Sequence, residues 1–200
     1  GEAEAVISAG NTGALMAIAK YCLKTLPGVD RPAIGGFLPT QTGRSVMLDL
    51  GANVVCDSDN LAQFAVMGAA FARTALGLRR TRIGLLNIGE EEVKGNEVVK
   101  AAARTLREQE LSEAEFRGFL EGDQVAKGGV DVIATDGFTG NVALKTAEGT
   151  AQLYASYVRD ALRYSLSARL GSVLARRGLK QMKRRLDPRE YGGAMFLGLQ

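Results

Sequence analysis

The sequence predicts an α/β domain with a mostly parallel sheet and flanking helices, on three observations. Short apolar runs alternate with segments of helical periodicity, polar glycine-containing loops follow the runs, and 25 glycines against 4 prolines supply tight turns between regular elements. Strand, helix, strand, helix is the order in which crossover helices cover a parallel sheet. The chain is read as one domain over residues 1–200.

Taken in order, AVIS (5–8), AIGGFL (33–38), VMLDL (46–50), RIGLLNI (82–88), FRGFLE (116–121) and VDVIAT (130–135) read as buried strands. Helical periodicity covers 12–26, 58–76, 91–110 and a long stretch from 141 onward. Asn11 or Thr12 is expected to cap the first helix, Ser58 or Asp59 the second, and Thr139 or Asn141 the last, each lending a side-chain oxygen to free backbone N–H groups. Pro27–Gly28 and Gly77 punctuate the ends of the first two. The hairpin-like GDQVAKGG (122–129) separates two of the strands.

Composition excludes several chemistries. The chain has no histidine, and its two cysteines, Cys22 and Cys56, stand at no metal-ligand spacing. Ser–His and Cys–His nucleophile pairs are therefore impossible, and catalysis must rest on carboxylates, lysine, arginine, hydroxyls and amides. The usual zinc ligand sets are absent for the same reason. A reducing, cytosolic setting fits the cysteine usage, and no apolar run approaches the ~20 residues of a membrane span. The chain begins GEAEAV, without methionine and almost at once in a strand-like run, so it is expected to be a piece of a longer protein.

Four polar loops follow strands: SAGNTGA (8–14), DLGANVVCDSDN (49–60), NIGEEEVKGNE (87–97) and TDGFTGN (135–141). In open α/β sheets, ligands gather beyond the carboxyl ends of the strands, so the four are expected to converge on one cleft. SAGNTGA offers Ser8, Asn11, Thr12 and free N–H groups at a helix start, either an anion site suited to phosphate or an ordinary capped turn. TDGFTGN repeats the arrangement with Thr139 and Asn141 and adds Asp136 as an acid. Lys94 could neutralise a phosphate, with Asn96 orienting it, although a lysine among acids is also the composition of a surface ion pair. Asp49 is a candidate for positioning or base work, or else for turn capping.

From 153 to 186 the pattern becomes a basic amphipathic helix. Leu162, Leu166, Leu170 and Leu174 share one face, arginines fill much of the rest, and Gly171 and Gly178 are expected to mark a bend or a helix–helix junction. Between Arg159 and Arg189 ten basic residues face two acids, a local +8 that leaves −5 elsewhere in a chain of net +3. The leucines suit the protein body, a twin subunit or a membrane surface. Nucleic acid is not expected, because just two tyrosines, Tyr157 and Tyr164, accompany the basic residues.

SAGNTGALM, MLDLGANVVCDSDNLAQFAVMGAAFA, LLNIGEEEVKGNE, FLEGDQVAKGGVDVIATDGFTGNVALKTAEG and DPREYGGAMFLGL, in this order and spacing, resemble the PlsX family of bacterial phosphate acyltransferases over nearly the whole chain. SAGNTG and TGN are also similar to their counterparts in phosphotransacetylases, which share the isopropylmalate-dehydrogenase-like fold. The resemblance implies transfer of a long-chain acyl group from acyl carrier protein to inorganic phosphate, giving acyl phosphate for phospholipid synthesis. It also implies a homodimer in the cytoplasm, peripherally associated with the inner membrane face, and no metal or organic cofactor. Ser8, Asn11, Thr12, Thr139 and Asn141 are then expected to bind phosphate, with Lys94, Asn96, Asp136 and Asp49 serving the chemistry. Leu166, Leu170, Arg176, Arg177, Lys183 and Arg184 are expected to contact membrane or carrier protein. Family members carry a further N-terminal segment with a DAMGGD-like motif and a tail with an HGSS-like motif. Neither is in this sequence, so strands and part of the site wall are expected to be missing. The alternatives are a dehydrogenase of the same broad fold and a non-enzymatic module built on 159–189.

Overall fold

The computed structural model describes residues 5–186 and 193–200; the side chains of Lys183, Arg185 and Leu186 are outside it, as is most of the DPREYGG motif. Six strands form one sheet: β1 (Ala33–Thr40), β2 (Gly43–Leu48), β3 (Thr81–Leu86), β4 (Ala114–Leu120), β5 (Val132–Ala134) and β6 (Ala194–Leu197), in the order β4-β3-β5-β2-β1-β6. The four strands β4, β3, β5 and β2 run parallel, β1 runs against β2, and β6 runs against β1. Only β1 therefore opposes the common direction. Its hairpin to β2 turns through Gln41 and Thr42, a connection that the parallel expectation did not contain.

The central strands are apolar on both faces, which explains their nearly continuous runs of Val, Ile and Leu. In β2, Val46 and Leu48 face one core cluster and Met47 the other; in β5, Val132 and Ala134 face the first and Ile133 the second. Helix α2 (Ser58–Leu76) and helix α3 (Glu97–Glu108) cover the first face. Phe64 and Leu106 are buried there, and small residues (Ala62, Ala65, Ala69, Ala72) let α2 lie close to the sheet. On the other face, Ala143 and Leu144 of α4 (Gly137–Arg163) pack against Ile34, Met47, Leu50 and Ile133. The ion pair of Arg82 with Asp131, 2.8 Å, joins β3 to the entry of β5.

Several sequence expectations need correction. AVIS (5–8) is not a strand: residues 5–9 are irregular and exposed, and none of the described strands pairs with them. Helix α3 begins at Glu97 under the cap of Asn96, not at 91. GDQVAKGG holds a single 3-10 turn, Val125–Lys127, and β3 separates the strands on either side of it in the sheet. The stretch 153–186 is not one helix. It divides into the end of α4, α5 (Leu166–Leu174) and α6 (Arg176–Leu186), and Ser165 caps α5 by accepting the Ala168 N–H. Helix α1 (Thr12–Leu23) buries none of its residues.

Candidate active site at the carboxyl edge of the sheet

Three of the four loops stand at the carboxyl ends of adjacent parallel strands: 87–97 after β3, 135–141 after β5 and 49–60 after β2. The last two are locked together. Gly137 N–H donates to the Asn53 carbonyl at 2.7 Å, and Asp49 N–H donates to the Thr135 carbonyl at 2.9 Å. A Cβ at Gly140 would stand 2.0 Å from the Asp49 carbonyl oxygen, and one at Gly137 2.7 Å from the Asn53 carbonyl oxygen. Glycine at both positions lets the first turn of α4 sit directly on the 49–53 loop. The Asn141 side chain then lies beside Gly51.

Asp49 is the organiser of this junction. It is fully buried, and its carboxylate accepts from the N–H groups of Ile34 (3.0 Å), Gly51 (3.2 Å), Ala52 (3.1 Å) and Asn53 (2.6 Å) and from the Asn53 amide (2.9 Å). Asn53 in turn donates to the Pro32 carbonyl at 2.8 Å. A carboxylate so engaged holds backbone in place and has no access to a substrate proton. Of the roles open to Asp49, the structure supports loop capping, and base work is corrected on that ground. Asn53, four residues on, was not singled out from sequence, where the DLGAN spacing is its one signal.

The caps also differ from expectation. Asp57, not Ser58 or Asp59, caps α2 in a reciprocal capping box with Asn60. Asp136, not Thr139 or Asn141, caps α4. Its carboxylate accepts from the Thr139 N–H (2.8 Å) and the Thr139 hydroxyl (2.7 Å). The positive end of the α4 dipole thus already holds an anion in Asp136. The side chains of Thr139 and Asn141 are exposed around it.

In the 87–97 loop, Lys94 is exposed and forms no ion pair with a described residue. Asn87 closes this loop by donating to the carbonyls of Gly89 (3.1 Å) and Lys94 (3.2 Å). Asn96 is turned into the helix, accepting the Val99 N–H at 2.9 Å. Gln124, beyond β4, donates to Glu90 across the top of the sheet.

SAGNTGA stands apart. Its described side-chain bonds are local, Gly10 N–H to Ser8 Oγ and Ala14 N–H to Asn11 Oδ1, and Ser8, Asn11 and Thr12 are exposed. The structure brings together the 49–60 and 135–141 loops, places 87–97 beside them on the same edge, and joins 8–14 to none of them by a described hydrogen bond.

Cys56 lies at the same junction, its thiol 3.5 Å from the Asn53 carbonyl. Burial pushes it up to about 11, the Gly137 N–H works against that rise, and the carboxylates of Asp49 and Asp136 add to it. It is a neutral thiol at physiological pH, unsuited to nucleophilic work.

An apolar cavity of about 330 Å³ opens between β1 and α4, next to Leu50. At the far end of α4, Leu166 and Leu170 of α5 are 77% and 70% exposed. A concavity lined by Arg159, Arg163, Arg169, Arg176 and Lys180 lies alongside. Arg177 and Arg184 are exposed, and the Lys183 side chain lies outside the described residues. No described helix is long and apolar enough to cross a membrane.

The chain is similar to several known proteins. The model of a family described as fatty acid synthesis protein matches residues 1–200. The chain is 60% identical over 200 residues to the phosphate acyltransferase of Rhodospirillum centenum, and 56% identical over 199 residues to that of Paramagnetospirillum magneticum. In each case all of this chain matches 56% of the relative, so the chain spans little more than half the length of these relatives. Among solved structures, the EutD phosphotransacetylase of Staphylococcus aureus aligns with TM-score 0.52 and 22% identity, over 67% of this chain and 46% of that one. A phosphotransacetylase from Streptococcus pyogenes gives 0.53 and 16%, over 72% and 49%. These two show a shared fold.

Proposed function

The chain belongs to the fatty acid synthesis protein family, the PlsX family that its motifs resemble, and from that premise we propose that it carries the phosphate side of an acyl transfer from acyl carrier protein to inorganic phosphate. The observation that carries the reading is the lock between 49–53 and 135–141, which fixes a helix start and its polar side chains at the carboxyl edge of the sheet. Relatives named phosphate acyltransferase support it.

A phosphate oxygen attacks the thioester carbonyl carbon, a C–O bond forms, the C–S bond breaks, and the carrier thiol leaves with a proton. Phosphate near neutral pH is already partly dianionic, so this attack requires no strong base. The Asn141 amide N–H donates to the phosphate, and the Thr139 hydroxyl oxygen, whose proton goes to Asp136, accepts from the phosphate's own P–O–H. Lys94, on the adjacent loop, offsets its charge and that of the developing oxyanion. Asp136 acts by fixing Thr139, and Asn96 by fixing the start of α3. Ser8, Asn11 and Thr12 form a second anion-binding helix start, available to the carrier's phosphate-bearing end or to inorganic phosphate. Positioning and electrostatics supply the acceleration.

The exposed leucines of α5, ringed by arginines, favour a peripheral contact with an anionic membrane surface, where the acyl phosphate is consumed for phospholipid synthesis. Assembly as a homodimer in the cytoplasm belongs to the same reading.

The test is thioester consumption with acyl carrier protein as donor, with and without phosphate. Turnover that requires phosphate and falls at least about tenfold on removal of the Asn141 or Lys94 side chain is expected. Turnover independent of phosphate, or unchanged in both variants, contradicts the assignment.

A further inference from the structure

The apolar cavity beside Leu50 begins at Leu144 of α4, about one helical turn beyond Asn141. Asn141, Leu144, Ala147, Glu148 and Ala151 lie on one side of that helix, within an arc of about 120° at 100° per residue. Asn141 sits by Gly51, and Leu144, Ala147 and Ala151 line the cavity together with Leu38 and Leu50 of the opposing strand and loop. From Asn141 to Ala151 the helix rises about 15 Å. The cavity is therefore a trough whose near end, at Leu50 and Leu144, lies next to the polar junction and whose far end lies toward Ala151. Its volume, about 330 Å³, lies at the lower end of the range of small-molecule pockets. The charges on its α4 side are Lys145 and Glu148, which pair with each other at 2.8 Å and leave the floor apolar.

We infer that this trough holds the hydrocarbon chain of the acyl donor, with Ala147 and Ala151 setting the length of chain that fits. The inference rests on the phosphate acyltransfer reading and adds to it the place and the limit of the acyl group. An apolar ligand is indicated because the trough offers a hydrogen-bonding substrate few partners, and a linear one because it follows a helix axis. The nearness of Leu50 and Leu144 to Asn141 puts the reacting end of such a chain at the junction and its tail toward Ala151. Alanine at both positions keeps the trough open; a larger side chain there would close its far end without entering the junction.

The experiment compares the protein with its Ala147→Phe and Ala151→Phe variants, using saturated acyl donors of short, medium and long chain. Both substitutions lie on a helix stretch with little burial, and circular dichroism confirms that the fold is retained. The expected result is a selective loss for the longest donor, about fourfold in kcat/KM for each methylene shut out, with short donors and the KM for phosphate unchanged. Equal loss across all chain lengths, no loss at all, or a change of oligomeric state showing that a second copy covers the trough, overturns the inference. A second measurement needs no turnover and no variant: a fatty acid with a photoreactive terminal group should label the segment 144–151 in the unaltered protein. Labelling elsewhere overturns the inference. Labelling at 144–151 without acyl phosphate formation would keep the trough and sink the acyltransfer reading, so the two can fail separately.

Discussion

The sheet with α2 and α3 and the arm formed by α4, α5 and α6 are built on opposite rules. In the first, central strands are apolar on both faces, and even the polar groups Asp49, Asn53 and Thr135 are buried. In the second, the buried residues of α4 are Gly137 and Gly140, both in its first turn, and α5 buries none. The candidate site lies where the two meet. The body fixes the polar junction by packing that tolerates almost no change, while the arm displays apolar and basic side chains that folding does not require. Sensitivity to substitution should therefore separate sharply between them.

The largest stability effect is expected for Asp49→Ala. Five donors lose their acceptor, and each buried donor left unpaired costs about 1–3 kcal/mol, so a loss of about 3 kcal/mol or more in urea unfolding follows. A loss under about 1 kcal/mol would break the contrast between body and arm.

Gly140→Ala comes next. Its Cβ would meet the Asp49 carbonyl oxygen, and relief requires α4 to shift at the junction. A cost of about 2 kcal/mol, the scale of overpacking, is expected in the same measurement.

Asp131→Asn sharpens the comparison from the other end of the sheet. Burial alone would raise Asp131, but the hydrogen bonds and charge of Arg82 outweigh it and hold the carboxyl below its ordinary range. A group lowered in the folded state contributes stability that is present above its unfolded value, about 3.9, and is lost as pH falls through the folded value. The native protein should lose part of its stability below about pH 4. The variant should be about 1 kcal/mol less stable at neutral pH, because Arg82 is partly exposed, and should lack that portion of the acid loss.

The smallest stability effect is expected in the arm. Leu166→Ser with Leu170→Ser should change unfolding by no more than about 0.5 kcal/mol. Sedimentation with anionic liposomes should nonetheless weaken markedly. Loss of stability without loss of liposome binding would show that these leucines belong to the body.

Much of the body was legible in the sequence because local signals and packing agree there. The limits of α2 were readable as 58–76 from apolar periodicity alone. Where local pattern and tertiary setting part, reading failed. The acids and valine of 91–96 mimic a helix, but Gly95, at φ 89°, interrupts it and Asn96 starts the helix anew. AVIS has strand composition, yet a strand exists only with a neighbour to pair with. Leucine spacing is continuous through 153–186; the first break is marked only by Ser165, an N-cap residue among several serines, and the second, at Ala175, falls between Gly171 and Gly178. The site shows the same division. That 49–60, 87–97 and 135–141 share one edge followed from their places after parallel strands. That Asp49 turns inward and Asp136 caps α4 did not, because aspartate has the same signature whether it binds backbone or substrate.

The central claim is that the junction of 49–53 with 135–141 holds the phosphate of an acyl transfer. Its most direct test is the KM for phosphate of the Asn141→Ala variant in thioester consumption, measured alongside its melting temperature. A KM raised about tenfold or more, equivalent to about 1.4 kcal/mol of lost binding, is expected with melting unchanged. An unchanged KM in a folded variant would contradict it.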